Sequence, residues 1–122
     1  MLIFALIYTL IMSFTMIGFG LIFIKNPPKE INSTFGYRTK MSSKNNDTWS
    51  FAHRYAGKVW LLSGGGNAIL FIIVLNIFKN SSVFESIVNT ITSIQIGILL
   101  LVIPFTEIAL KKTFDKDGKR KF

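Results

Sequence analysis

The chain has 122 residues with a formal net charge of +8; half are hydrophobic, and there is no cysteine. Without cysteine, a disulfide framework, a thiolate nucleophile and a Cys-ligated metal are excluded. Three uncharged blocks, 1–24, 59–78 and 86–106, leave no material for a separate soluble core, so the composition points to one membrane domain over 1–122.

The first block holds 24 residues, more than the roughly 20 that cross a bilayer core as a helix. It lacks a basic n-region, and its apolar run is too long for a signal peptide. A retained helix over about 2–24 is expected, stopped by Asn26-Pro27-Pro28, because proline cannot continue the hydrogen-bond ladder.

A polar connection follows, within a long loop reading of 25–58. Asn46, Asp47 and Thr48 are candidate N-caps for the next helix. Trp49, Ala52, Ala56 and Trp60 recur at spacings of three and four, which predicts an amphipathic lead-in at the headgroup level over 48–58. Tyr37, Trp49, Tyr55 and Trp60 suit an aromatic belt there. The second span is expected over about 59–78. Gly64 and Ala68 form a small-xxx-small pair, as do Ser93 and Gly97 in the third span, and these two faces are expected to meet.

Lys79 to Ser82 makes a short turn, and the third span is expected over about 86–110 within a helix from about 84. Pro104 should bend that helix. A basic tail over 111–122 closes the chain. The expected fold is an all-α integral membrane bundle of three transmembrane helices, because open strands cannot satisfy their backbone in lipid.

Charge placement orients this bundle. Seven of the fourteen Lys and Arg lie between the first two blocks, six follow the third, and only Lys79 lies between the second and third. Cytoplasmic loops carry the excess of Lys and Arg. The expectation is a multi-pass protein of a bacterial cytoplasmic membrane, with the N-terminus outside and the loop and tail inside. Cations that flank spans favour a bilayer with anionic headgroups as partner over nucleic acid.

Few residues offer chemistry. Asn67 and Gln95 lie near mid-depth, where an interhelical hydrogen bond or a polar substrate site are the two readings; both are expected to face a shared interior. Glu107 precedes Lys111 by four residues, the favourable helical ion-pair spacing, with a proton relay as the other reading. His53 is the single histidine, so no metal cluster and no Ser-His nucleophile arise; an interfacial hydrogen bond is expected of it. Gly64 to Gly66 lack the Lys-Ser/Thr of a phosphate loop. No catalytic residue, no metal, no cofactor and no enzyme activity is expected.

The loop is the most patterned segment. It runs Pro28, Ile31-Asn32, Phe35-Gly36-Tyr37-Arg38-Thr39, Ser42, Lys44-Asn45, Thr48-Trp49 and Ala52. Gly36 permits a positive φ or a close approach, and Asn32 can fix a turn on its own backbone. Arg38 offers a planar fork to a carboxylate or phosphate, or caps carbonyls as the loop folds back.

In order and spacing these residues resemble the SdpI/YfhL family of small bacterial membrane proteins. Lys40 stands where the family often has proline, and His53 where it often has asparagine. The resemblance implies immunity against a membrane-active peptide toxin, with signalling through the inner loop. Two alternatives stay open: a small transporter or lipid-binding protein using Asn67, Gln95 and Arg38, and a scaffold tethering a cytoplasmic regulator. A homo-oligomer is compatible with the small-residue faces.

Overall fold

The computed structural model describes residues 1–122. Four helices follow in chain order: α1 Leu2–Lys25, α2 Asn46–Phe78, α3 Phe84–Leu100 and α4 Val102–Thr113. No strand forms; a lone bridge joins Phe114 to Arg120. α3 and α4 run on as one apolar unit, so three helical stretches, Leu2–Lys25, Asn46–Phe78 and Phe84–Thr113, are long and apolar enough to cross a membrane.

The outward face of α1 is greasier than its inward face. Ile3, Phe4, Ile11 and Phe14 of α1 are more than half exposed, whereas its buried line is Ala5, Thr9, Ser13, Met16, Gly20 and Phe23. Spacings of three and four put these six on one face. A soluble helix would bury the isoleucines. Burying small and hydroxyl side chains instead is the membrane solution, in which close packing and hydrogen bonds hold helices together.

α1 and α2 approach most closely at two glycines. A Cβ on Gly20 would stand 2.8 Å from the Gly57 carbonyl oxygen, and one on Gly57 would stand 2.7 Å from the Gly20 carbonyl oxygen. Each residue is glycine because the partner's backbone occupies the side-chain position. Gly64 continues this contact toward Ser13 and Ile17 of α1. Gly97 of α3 has open space around it. The expected meeting of the Gly64 and Gly97 faces is therefore corrected: the small face of α2 belongs to α1.

The buried interior has three levels. Phe71, Leu75, Phe84, Val88 and Ile91 form an apolar cluster with Ala5 at one end, and Phe23, Tyr37, Ala56, Leu110 and Phe114 belong to another at the loop end. Between them lie two polar rungs. Asn67 Nδ2 donates to Ser13 Oγ at 2.7 Å, and Gln95 Nε2 donates to Thr9 Oγ1 at 2.9 Å. Both amides are buried, each bonded to α1, and the two rungs lie one turn apart on that helix. Each bond contributes on the order of 1 kcal/mol in lipid.

α3 gives way to α4 at Leu101. Pro104 has no N–H for the Leu100 carbonyl four residues earlier, so the ladder breaks there, as its position predicts. The indole N–H of Trp60 donates to the neighbouring Leu99 carbonyl at 3.1 Å. α2 is one helix from Asn46, so the ordered connection between α1 and α2 covers 26–45. Its N-cap is Asn45, one residue before the expected candidates. Asn45 Oδ1 accepts from the Thr48 N–H, while Thr48 Oγ1 accepts from the Asn45 N–H, a reciprocal capping box.

Candidate recognition site: the patterned loop and its cleft

The loop is folded by its own side chains. Asn32 Oδ1 accepts from the N–H groups of Thr34 and Phe35 at 2.9 and 2.8 Å, closing a turn. Arg38 Nη1 donates to the Ser33 carbonyl and ties the next residues back across that turn. Gly36 takes φ 117°, and a Cβ there would meet His53 Nε2 at 2.6 Å. Only glycine lets the chain turn this close to the imidazole.

His53 is where loop and helix join. The Tyr37 N–H donates to His53 Nε2 at 2.9 Å, and His53 Nδ1 lies 2.8 Å from the Trp49 carbonyl. An Nε2 that accepts carries no proton, so Nδ1–H is the donor to Trp49 and the ring is neutral. The ring is fully buried and meets Phe23 edge-on at 4.9 Å. The expected interfacial histidine is therefore a core histidine. The belt expected of Tyr37 and Trp49 is likewise corrected: both are buried, with the Trp49 indole N–H donating to the Pro28 carbonyl at 2.7 Å.

Tyr37 reaches the far wall. Its hydroxyl donates to Glu107 Oε1 at 2.7 Å, with the Ile103 carbonyl at 3.3 Å. Burial, followed by the bond to the Glu107 carboxylate, pushes the phenol far above its ordinary range, so it stays a donor. Glu107 forms no ion pair with Lys111; the protein's ion pair is Arg120 with Asp47 at 2.8 Å. The expected Glu107–Lys111 pairing is thus replaced by a loop-to-helix hydrogen bond.

The rest of the pattern serves the same end. Ser42 Oγ accepts from the Thr39 N–H at 2.9 Å and lies 3.1 Å from the Tyr37 carbonyl. Thr48 Oγ1 lies 3.0 Å from the Ser42 carbonyl, Asn45 caps α2, and Ala52 is fully buried. Arg38 differs from these: it is exposed.

Above the loop lies a cleft of about 550 Å³. Phe19 and Phe23 of α1, Phe35 of the loop, Trp60 of α2 and Leu99 and Ile103 of the α3–α4 break form its apolar wall. Phe23 stacks on Trp60 with ring centres 5.9 Å apart, and Phe19 meets Phe35 at 6.1 Å. Thr34, Arg38 and Thr39 bring polar groups to it, and no carboxylate lines it. The structure thus sets Arg38 and Thr39 beside this cleft and leaves Asn67 and Gln95 outside its lining. The aromatic wall carries little sequence signal beyond the four-residue spacing of Phe19 and Phe23.

Three bilayer-length helices and a loop locked between them define a small multi-pass membrane protein. Residues 29–107 match the SdpI/YfhL protein family, and the chain belongs to that family. A relative described as uncharacterized protein YfhL, from Bacillus subtilis (strain 168), is 40% identical over 55 residues. That match covers 40% of this chain and 50% of the relative, so the chain spans about half the length of this curated relative. No solved structure matches the chain.

Proposed function

We propose that this SdpI-type protein protects a bacterial membrane against a membrane-active peptide, and that the aromatic cleft is where the peptide is held. The observation that carries this reading is the cleft itself: an apolar aromatic wall made by three helices, with Arg38 at its polar side. An amphipathic peptide presents that pairing, with aliphatic side chains for the aromatic wall and a carboxylate for the guanidinium. The role is binding rather than catalysis, and it needs no cofactor. Charge placement supports an orientation with the loop and the C-terminal segment in the cytoplasm, where the loop that closes the cleft can report its occupancy to a regulator.

Co-culture with a peptide-secreting strain tests this. Cells carrying the protein should survive, and cells carrying the Phe35→Ala/Trp60→Ala variant at equal membrane abundance should not. Equal killing with and without the protein removes the reading. A second reading, lipid binding in the same cleft, is favoured by Arg38 standing there without a carboxylate. It predicts equal killing together with a co-purifying lipid that the same variant loses.

A further inference from the structure

The segment after α4 is a folded element. Phe114 is 1% exposed, and its ring meets Phe51 edge-on at 5.4 Å. The chain then turns back, with the Asp115 N–H donating to the Lys119 carbonyl at 2.8 Å and the Lys121 N–H to the Thr113 carbonyl at 3.0 Å. Two contacts pin this turn to the start of α2. Asn45 Nδ2 donates to the Gly118 carbonyl at 2.8 Å, and Arg120 grips both oxygens of Asp47 at 2.8 and 2.9 Å.

This folding closes a basin of about 580 Å³ between the loop and the end of α4. Lys40 and Lys44 come from the loop, Lys111 from α4, and Lys116 and Lys121 from the folded turn. Glu107 and Asp115 are the basin's carboxylates; five ammonium groups against two acids leave an excess of three positive charges. None of these lysines has a carboxylate within ion-pair distance, since the single ion pair is Arg120 with Asp47. Both acids have other partners: Glu107 accepts the Tyr37 hydroxyl, and Asp115 Oδ1 accepts the N–H groups of Asp117 and Lys119. Like charges gathered by a folded turn repel one another unless an anion joins them.

We propose that this basin is a binding site for the phosphate of an anionic phospholipid headgroup. Lysine binds phosphate as a compact point charge on a flexible stem. α4 supplies the argument for a lipid over free phosphate. Phe105, Ile108 and Lys111 recur every three residues along one side, and Phe105 and Ile108 are about half exposed. Apolar surface for acyl chains therefore lies about one turn from the basin, toward the membrane. The basin shares no lining residue with the aromatic cleft, and the assignment does not rest on the toxin reading.

The test uses the full chain in nanodiscs of phosphatidylcholine with a minor share of phosphatidylglycerol, read by native mass spectrometry. One phosphatidylglycerol should remain bound per protein in preference to phosphatidylcholine. Lys44→Gln/Lys116→Gln/Lys121→Gln should lower that preference about a hundredfold, the loss expected for three near-surface cations. The three arginine replacements should keep it, as should Lys79→Gln between α2 and α3. Equal retention of both lipids by the wild type, or unchanged retention by the glutamine variant, overturns the proposal. So does binding of inorganic phosphate to the detergent-purified protein without enrichment of phosphatidylglycerol. Should the glutamine variant not fold, Asp47→Ala carries the test, because it frees Arg120 and loosens the turn without removing a lysine. It should retain several-fold less phosphatidylglycerol, and retention at the wild-type level would overturn the assignment.

Discussion

The backbone N–H of Tyr37 donates to Nε2 of His53 at 2.9 Å, in a crevice where Gly36 leaves no room for a side chain. This bond joins the patterned loop to α2 inside the core. His53→Leu removes the acceptor and strands a buried N–H, so a loss of about 1–3 kcal/mol is expected. Gly36→Ala should cost a similar amount, because alanine at φ 117° is strained and its Cβ would press on the same ring. Thermal melting of the purified protein in detergent checks both. A wild-type midpoint in either variant would count against the join.

Gly57→Leu is expected to separate α1 from α2 and lose about 3 kcal/mol or more, since the Gly20 backbone fills the space a side chain needs. Gly97→Leu should stay within about 0.5 kcal/mol, because open space surrounds it. Membrane abundance and melting of the two variants should differ in that order. The reverse order would mean that the helices pair differently.

Tyr37→Phe deletes the hydroxyl that donates to Glu107. A hydrogen bond to a charged group is lost, at a cost of about 1.5–3 kcal/mol. Glu107→Gln should be milder, because the amide oxygen still accepts. Melting of the two variants, compared at neutral pH, measures the difference; equal midpoints would show that the carboxylate is not the anchor.

The turn that carries Lys116 and Lys121 has an acid limit. Hydrogen bonds from the Lys119 and Asp117 N–H groups, and the nearby lysine charges, hold the Asp115 carboxyl below its ordinary range near 3.8. A depressed folded value means that the carboxylate's contribution is present above the unfolded value and fades as pH falls through the folded one. Protection of the Lys119 amide, its exchange rate relative to the intrinsic rate at the same pH, should therefore hold steady from about pH 7 down to 5 and fall only in strong acid. A loss of protection between pH 7 and 5 would contradict this assignment.

Orientation has a clean readout because the chain has no native cysteine. Ser81→Cys should react with an impermeant maleimide added to intact cells, and Lys40→Cys should not. Labelling of position 40 alone would invert the molecule.

Much of the fold is legible in residue order. Uncharged blocks of bilayer length mark the spans, Pro104 marks the break in the third, and Gly-Tyr-Arg-Thr with its spaced Asn and Trp marks the family. What is not legible is pairing. Gly64 and Ala68 satisfy a small-residue pattern that any helix could answer, and it is α1 that does so. Lys111 stands at ion-pair spacing from Glu107, yet Tyr37, 70 positions away in sequence, takes that carboxylate. A local spacing rule holds only until a buried donor from elsewhere competes.

By itself the sequence determined that the chain enters lipid, how many times it can cross, and which segment is patterned for a task. These follow from solvation and helix geometry, which act on each segment independently of its partners. The tertiary structure decided that His53 is core, that the loop motif is anchored at its tyrosine, that four aromatic rings from distant segments wall one cleft, and that scattered lysines gather in one basin. Those outcomes depend on which backbones can approach within a few ångströms, and that is settled only when Gly20 meets Gly57.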